Sequence, residues 1–150
     1  MKVRIFFCVI SSALLVTPFA CDDEEKMASI EGAWIGTKAE GEVLVFGVPS
    51  GFEEEDDNFD PILEFKPGGM VSLTQDGIPT SGTWSQEGEQ LVSSLNFNTD
   101  FVDISGAYTI QTLTDTKLVL YHEREGTYAD PDTGIEIEGT LKATLSFNKQ

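Results

Sequence analysis

Cysteine, histidine and basic residues are all scarce in this sequence. The chain of 150 residues has 2 Cys and 1 His, and its 9 Lys and Arg stand against 26 Asp and Glu. Because Cys8 lies in an apolar segment near the start, Cys21 has no partner for a disulfide in the rest of the chain. A formal net charge of −17 repels phosphate backbones, so we expect no nucleic-acid partner.

Signals of catalysis are missing as well. No nucleophile motif such as Gly-x-Ser-x-Gly is present, and a Ser-His-acid triad would have to use His122. One His without a nearby Cys does not predict a zinc site. We therefore predict no enzyme activity, no catalytic residue, no metal and no cofactor. The share of hydrophobic residues, 40%, is typical of a folded domain.

The first residues have the pattern of a secretory signal. Met1–Arg4 is basic, and Ile5–Val16 is apolar but too short for a membrane-spanning helix, which needs about 20 apolar residues. The small residue Ala20 comes directly before Cys21. This resembles a bacterial lipoprotein signal, which implies cleavage after residue 20 and lipid on Cys21. Pro18 departs from the usual Leu of that pattern, as lipoproteins of the Bacteroidota tolerate.

Residues 21–27 are predicted to form an acidic tether. An acidic run directly after the lipidated Cys resembles the Bacteroidota signal for export to the outer face of the outer membrane. In enteric bacteria, Asp beside the Cys instead resembles a signal for retention in the inner membrane. We expect a lipid-anchored, surface-exposed protein of the outer membrane. The alternative is an ordinary signal peptide followed by an incidental Cys.

Residues 28–150 are predicted to form one all-β domain. Short segments of alternating polarity are separated by turn signals, and no helical period is sustained. The last segment is the clearest, because apolar residues occupy every second position from Ile135 to Phe147. Such alternation predicts one buried face, and pairing with the segment 30–37 would close a barrel. We predict an antiparallel up-and-down β-barrel of about 8–10 strands, with a β-sandwich as the alternative.

Several motifs resemble the lipocalin family. Gly32-Ala33-Trp34 resembles its Gly-x-Trp signature, and the segments 63–69, 81–85 and 108–120 are similar to repeats in small lipocalin-like domains of bacterial lipoproteins. The resemblance implies an antiparallel barrel with a cavity that is open at one end and binds small hydrophobic molecules. Lipocalins place an Arg from beyond the last strand over the tryptophan. Here Lys149 has the corresponding parity but lies next to the chain end.

The candidate ligand-binding residues are those predicted to point into the barrel. Small inward residues such as Gly139 and Ala143 would leave room for a ligand. His122 and Arg124 fall near one end of their strand, where they would orient a polar head group. The full set is Trp34, Trp84, Ser93, Tyr108, His122 and Arg124.

The segment 47–61 is predicted to be a long acidic loop. It occupies the place where lipocalins carry a lid, and Phe52 and Phe59 are expected to reach toward the cavity mouth. Its carboxylates, or those of Asp130, Asp132 and Glu136, would offer oxygens to calcium, but neither group has the EF-hand spacing. A solvated acidic face is the other interpretation.

These features predict a membrane-anchored lipoprotein that binds a small, largely apolar molecule in its barrel without catalysis. The alternative is a protein-interaction module of the cell envelope with a filled barrel and an unknown protein partner.

Overall fold

The computed structural model describes residues 28–99, 103–129 and 134–150, with the backbone alone at 51–54, 103 and 129. All regular structure in these ranges is β. The strands are β1 (Gly32–Val45), β2 (Val48–Asp56), β3 (Ile62–Lys66), β4 (Met70–Gln75), β5 (Ile78–Glu87), β6 (Gln90–Asn98), β7 (Asp103–Leu113), β8 (Lys117–Ala129) and β9 (Glu136–Lys149). Nothing in these ranges is a helix that could span a bilayer.

Eight of the strands close into an antiparallel barrel. Neighbours in the chain pair from β3 through β9, and β1 joins the two ends by pairing with both β3 and β9. The β1–β9 ladder runs from Trp34 opposite Lys149 to Leu44 opposite Thr140. This confirms the predicted all-β barrel and the predicted pairing of the last strand with the first.

Strand β9 has the single buried face that its alternation predicts. Leu141, Ala143, Leu145 and Phe147 are buried, whereas the residues that alternate with them are at least partly exposed. Ile135 is the exception, with 62% of its surface exposed. It precedes β9, so no neighbouring strand covers it.

Strand β2 replaces most of the predicted acidic loop. It pairs with the second half of β1, from Ala39 opposite Asp56 to Val45 opposite Val48. The prediction of a loop is therefore wrong over Val48–Asp56. The physical reason is non-local: β3 covers only Gly32–Ile35 of β1, so the rest of that edge of β1 is open to a second partner. Runs of Glu and Asp have little intrinsic preference for strands, which hides this pairing in the sequence.

Phe59 is a core residue and not part of a lid, which corrects the second prediction for this segment. It is 2% exposed, and its ring centroid lies 5.6 Å from that of Phe147. The segment from Phe59 to Pro61 packs directly against Gly36 of β1. A Cβ at Gly36 would lie 2.5 Å from Pro61 Cδ and 2.9 Å from Phe59 Cδ1, so a larger residue would not fit there. Phe52 lies in β2, and its side chain is outside the described part of the structure.

Three aromatic residues of the described barrel, each two positions after a glycine, make the same kind of hydrogen bond. The ring folds back along its own strand, and its N–H or O–H donates a hydrogen bond to the carbonyl four residues earlier. This satisfies a buried polar group within one strand. The donor–acceptor pairs are Trp34 to Ile30 at 2.7 Å, Tyr108 to Ile104 at 3.0 Å, and Tyr128 to Arg124 at 3.0 Å.

Candidate functional site

The centre of the barrel is filled by side chains. The rings of Phe59, Phe97 and Phe147 pack against one another with centroids 5.6 to 6.3 Å apart. Leu118, Leu120, Leu141 and Leu145 are fully buried around the barrel wall. The six residues predicted to bind a ligand are consequently divided among three places instead of enclosing one cavity.

Trp34 lies at the end of the barrel where the chain enters β1, and it helps to close the interior at that end. Its ring is fully buried, and Lys149 Nζ lies 4.2 Å from the ring centroid. The same ammonium group donates a hydrogen bond of 2.6 Å to the carbonyl of Glu31. Lys149 therefore covers the tryptophan, and Trp34 is part of the end closure.

Ser93, Tyr108 and His122 lie together inside the barrel. The ring centroids of Tyr108 and His122 are 5.4 Å apart, and Ser93 is on the neighbouring strand β6. The Ser93 hydroxyl accepts a hydrogen bond from the backbone N–H of Leu95. Arg124 lies two residues after His122 on β8 and is exposed. Its guanidinium is 5.7 Å from the centre of the Tyr128 ring.

His122 marks the point where the ladder between β7 and β8 stops. That ladder ends at Thr109 opposite Tyr121, and beyond it His122 Nδ1 lies 2.8 Å from the carbonyl oxygen of Ala107. Because a carbonyl only accepts, Nδ1 donates this hydrogen bond, and in a neutral imidazole Nε2 is then an acceptor. Nε2 is buried and has no hydrogen-bond partner among the described residues. Leaving a buried polar atom unsatisfied costs about 1–3 kcal/mol.

Tyr108 makes folding sensitive to alkali. Burial raises the pKa of its phenol above the ordinary value of 10.0, while Arg124 acts weakly in the opposite direction. Native Tyr108 holds its proton more tightly than the unfolded chain, so its contribution to stability is complete below about pH 10 and falls above it. We expect the free energy of unfolding in urea to decline more steeply between pH 10 and 11.5 for the wild type than for Tyr108→Phe.

The same Tyr108→Phe variant should lose roughly 1 kcal/mol at pH 7, because it lacks the hydrogen bond to Ile104. An equal alkaline slope in the two proteins would contradict this role for Tyr108.

Trp84 lines a large, open concave surface of the described structure. This cleft has a volume of about 940 Å³ and lies at the end of the barrel where the chain enters β1. The turns between β3 and β4 and between β5 and β6 border it, together with the end of β7 and the segment before β1. The lining residues are Ala28, Glu31, Gly68, Gly69, Trp84, Ser85, Gln86, Gly88, Glu89, Ile110, Gln111 and Leu113.

The floor of this Trp84 cleft is apolar and well supported. The ring of Trp84 packs edge-on against buried Phe65 at 5.2 Å, and its Nε1–H donates a bond of 3.2 Å to the carbonyl of Lys66. Ile110 is buried, and Trp84 and Leu113 are partly buried against the main core. The indole is thus held in place while part of it remains open to a ligand.

Only Trp84 of the six predicted residues belongs to this cleft. Sequence reasoning missed Ile110, Leu113 and the bordering turns as candidates. The turn signals Pro67-Gly68-Gly69 and Glu87-Gly88 indicate two hairpins. They do not indicate that both hairpins border the same cleft.

The acidic segments form no evident metal site in the part of the chain that the structure describes. Asp56 is buried, and its Oδ1 accepts a hydrogen bond of 2.9 Å from the backbone N–H of Asn58. In the described ranges, no three His, Cys, Asp or Glu side chains converge. Cys21, Asp130 and Asp132 lie outside the described residues, and Glu136 is exposed at the start of β9.

These observations define the class of protein as a closed, eight-stranded antiparallel β-barrel, compatible with a lipocalin-like fold. No family model, curated protein or solved structure matches the chain. The class therefore rests on the architecture itself.

Proposed function

We propose that this protein is a membrane-anchored, non-catalytic binding module for a small, largely apolar molecule, and that the Trp84 cleft is its binding site. The observation that supports this most is the open, apolar floor of the cleft, formed by Trp84, Ile110 and Leu113. Its volume of about 940 Å³ is in the range of small-molecule sites. The filled centre favours a ligand at the end of the barrel over one deep inside it.

A neutral apolar probe should bind to the cleft and change the emission of Trp84. The probe is tetraethylene glycol monododecyl ether, kept below its critical micelle concentration and followed by fluorescence and calorimetry. Trp84→Phe keeps an apolar floor, so heat of binding should remain while the fluorescence response is lost. Apolar burial should also give a negative heat-capacity change.

Two variants locate the binding. Gln86→Phe should block it, because Gln86 is exposed and lines the cleft. Gln90→Phe adds the same ring at an exposed position outside the lining, so it should bind normally. The proposal fails if the folded wild type binds no apolar probe saturably, or if both variants bind as the wild type does.

We propose further that lipid on Cys21 holds the domain at the outer membrane, on the cell surface. The support is the signal-like segment and Ala20-Cys21 in the sequence. Cys21→Ser should move the protein from the membrane fraction to the soluble fraction, and the wild type should take up labelled palmitate. A Cys21→Ser protein that stays with the membrane, with no label in the wild type, would exclude this anchor.

The alternative function, a protein-interaction module, is favoured by a separate observation. The barrel centre is filled, and Phe46, Val48 and Ile78 are strongly exposed at turns of the end opposite the Trp84 cleft. A contiguous exposed apolar patch is typical of a contact surface, and Phe46 and Val48 are neighbours at the β1–β2 turn. This function becomes the better account if no apolar probe binds to the folded domain.

A further inference from the structure

We infer that the Trp84 cleft selects cationic amphiphiles, meaning molecules with an apolar body and an ammonium-type head group. The inference rests on the proposed function and adds the charge of the ligand to it. It follows from the distribution of charge around the cleft.

The charged residues in the lining are all acidic. Glu31 lies on the segment that precedes β1, and Glu89 lies in the turn between β5 and β6. Both are exposed, and no Lys or Arg is among the lining residues. The cleft therefore presents two carboxylates to any head group that projects from its floor.

Three lysines lie at this end of the barrel; Lys117 is not among the lining residues, and the other two are engaged elsewhere. Lys66 Nζ lies 3.0 Å from a carboxylate oxygen of Glu64. Lys149 Nζ covers the Trp34 ring and donates to the carbonyl of Glu31, not to its carboxylate. Among the described residues the ion pairs use Glu40, Glu55 and Glu64, so neither Glu31 nor Glu89 is neutralised by one.

The floor suits a cation as well as an apolar chain. The open part of an indole attracts an ammonium group, because the ring face carries partial negative charge. An anionic head group would meet Glu31 and Glu89 and the field of a chain with net charge −17. Exposed charge pairs are individually weak, so two carboxylates give a preference of only roughly 10-fold for a cation over a neutral head group.

Three probes with the same dodecyl chain test this selectivity. Their head groups are trimethylammonium, tetraethylene glycol and carboxylate, and each is titrated into the full-length mature protein below its critical micelle concentration. The dissociation constants should rise in that order, with the cation roughly 10-fold tighter than the neutral probe. Because exposed charges are screened, 0.5 M salt should remove most of this difference.

A matched pair of double variants assigns the selectivity to the cleft. Glu31→Gln with Glu89→Gln should abolish the preference, so that the cationic and the neutral probe bind this variant with equal dissociation constants. Glu136→Gln with Glu138→Gln removes the same charge from exposed positions on β9, outside the lining, and should keep the preference.

The outcomes separate the two proposals. If none of the three probes binds, the proposed function itself fails. If the neutral or anionic probe binds as tightly as the cation, or if the preference survives Glu31→Gln with Glu89→Gln, the inferred selectivity is wrong while the binding function stands. An equal loss in both double variants would assign the preference to the overall charge and would also overturn the inference.

Discussion

Leu141→Asp is expected to prevent the domain from folding. Leu141 is fully buried and packs with Val43 and Tyr128, and its strand is paired on both sides by β1 and β8. An unpaired carboxylate at this position would have no water and no partner, which costs several kcal/mol. Since a small domain is stable by about 5–15 kcal/mol, this one change should remove most of its stability. Circular dichroism and urea unfolding measure the result.

Lys142 and Asn148 provide contrasts on the opposite face of the same strand. Lys142 lies between Glu42 and Glu123 of the neighbouring strands, so Lys142→Asp places like charges side by side and should cost about 1 kcal/mol. Asn148 is exposed and lies opposite Lys117, so Asn148→Asp should stay within about 0.5 kcal/mol of the wild type. Similar tolerance of Asp at 141 and 148 would show that β9 does not have one buried face.

Trp34→Ala is expected to cost roughly 3–5 kcal/mol, because a large buried ring leaves a cavity behind. The change also removes the 2.7 Å hydrogen bond to Ile30 and the surface on which Lys149 rests. Trp84→Ala is the matched control at the other tryptophan, which is only partly buried. It should cost clearly less, so the difference in urea midpoint between the two variants measures the role of the closed end. Equal costs would mean that Trp34 is not the main element of that closure.

The sequence predicts the fold well where side-chain polarity alternates strictly. The alternation of β9 indicates its length, its buried face and its pairing with β1, because a shift of one residue would expose every apolar side chain. The parity of Lys149 likewise agrees with its position over the Trp34 ring.

Features that depend on contacts between distant segments could not be predicted in this way. The acidic residues of β2 form a strand because β1 offers a free edge, not because of their own preference. Phe59 appears in the sequence as one aromatic residue within an acidic segment, yet it packs among rings of β6 and β9. The Trp84 cleft has no local motif at all, since it arises where separate turns and the segment before β1 meet.

Mapping of a bound probe by NMR tests the central claim most directly, namely that the ligand site is the Trp84 cleft and not the barrel centre. The labelled domain is titrated with the neutral dodecyl probe, and backbone amide shifts are followed. The account predicts saturable shifts at Gly69, Gln86 and Gln111 on the cleft, with His122 and Ala143 unchanged in the interior. Shifts centred on His122 and Ala143, or no saturable shift at the cleft, would contradict it.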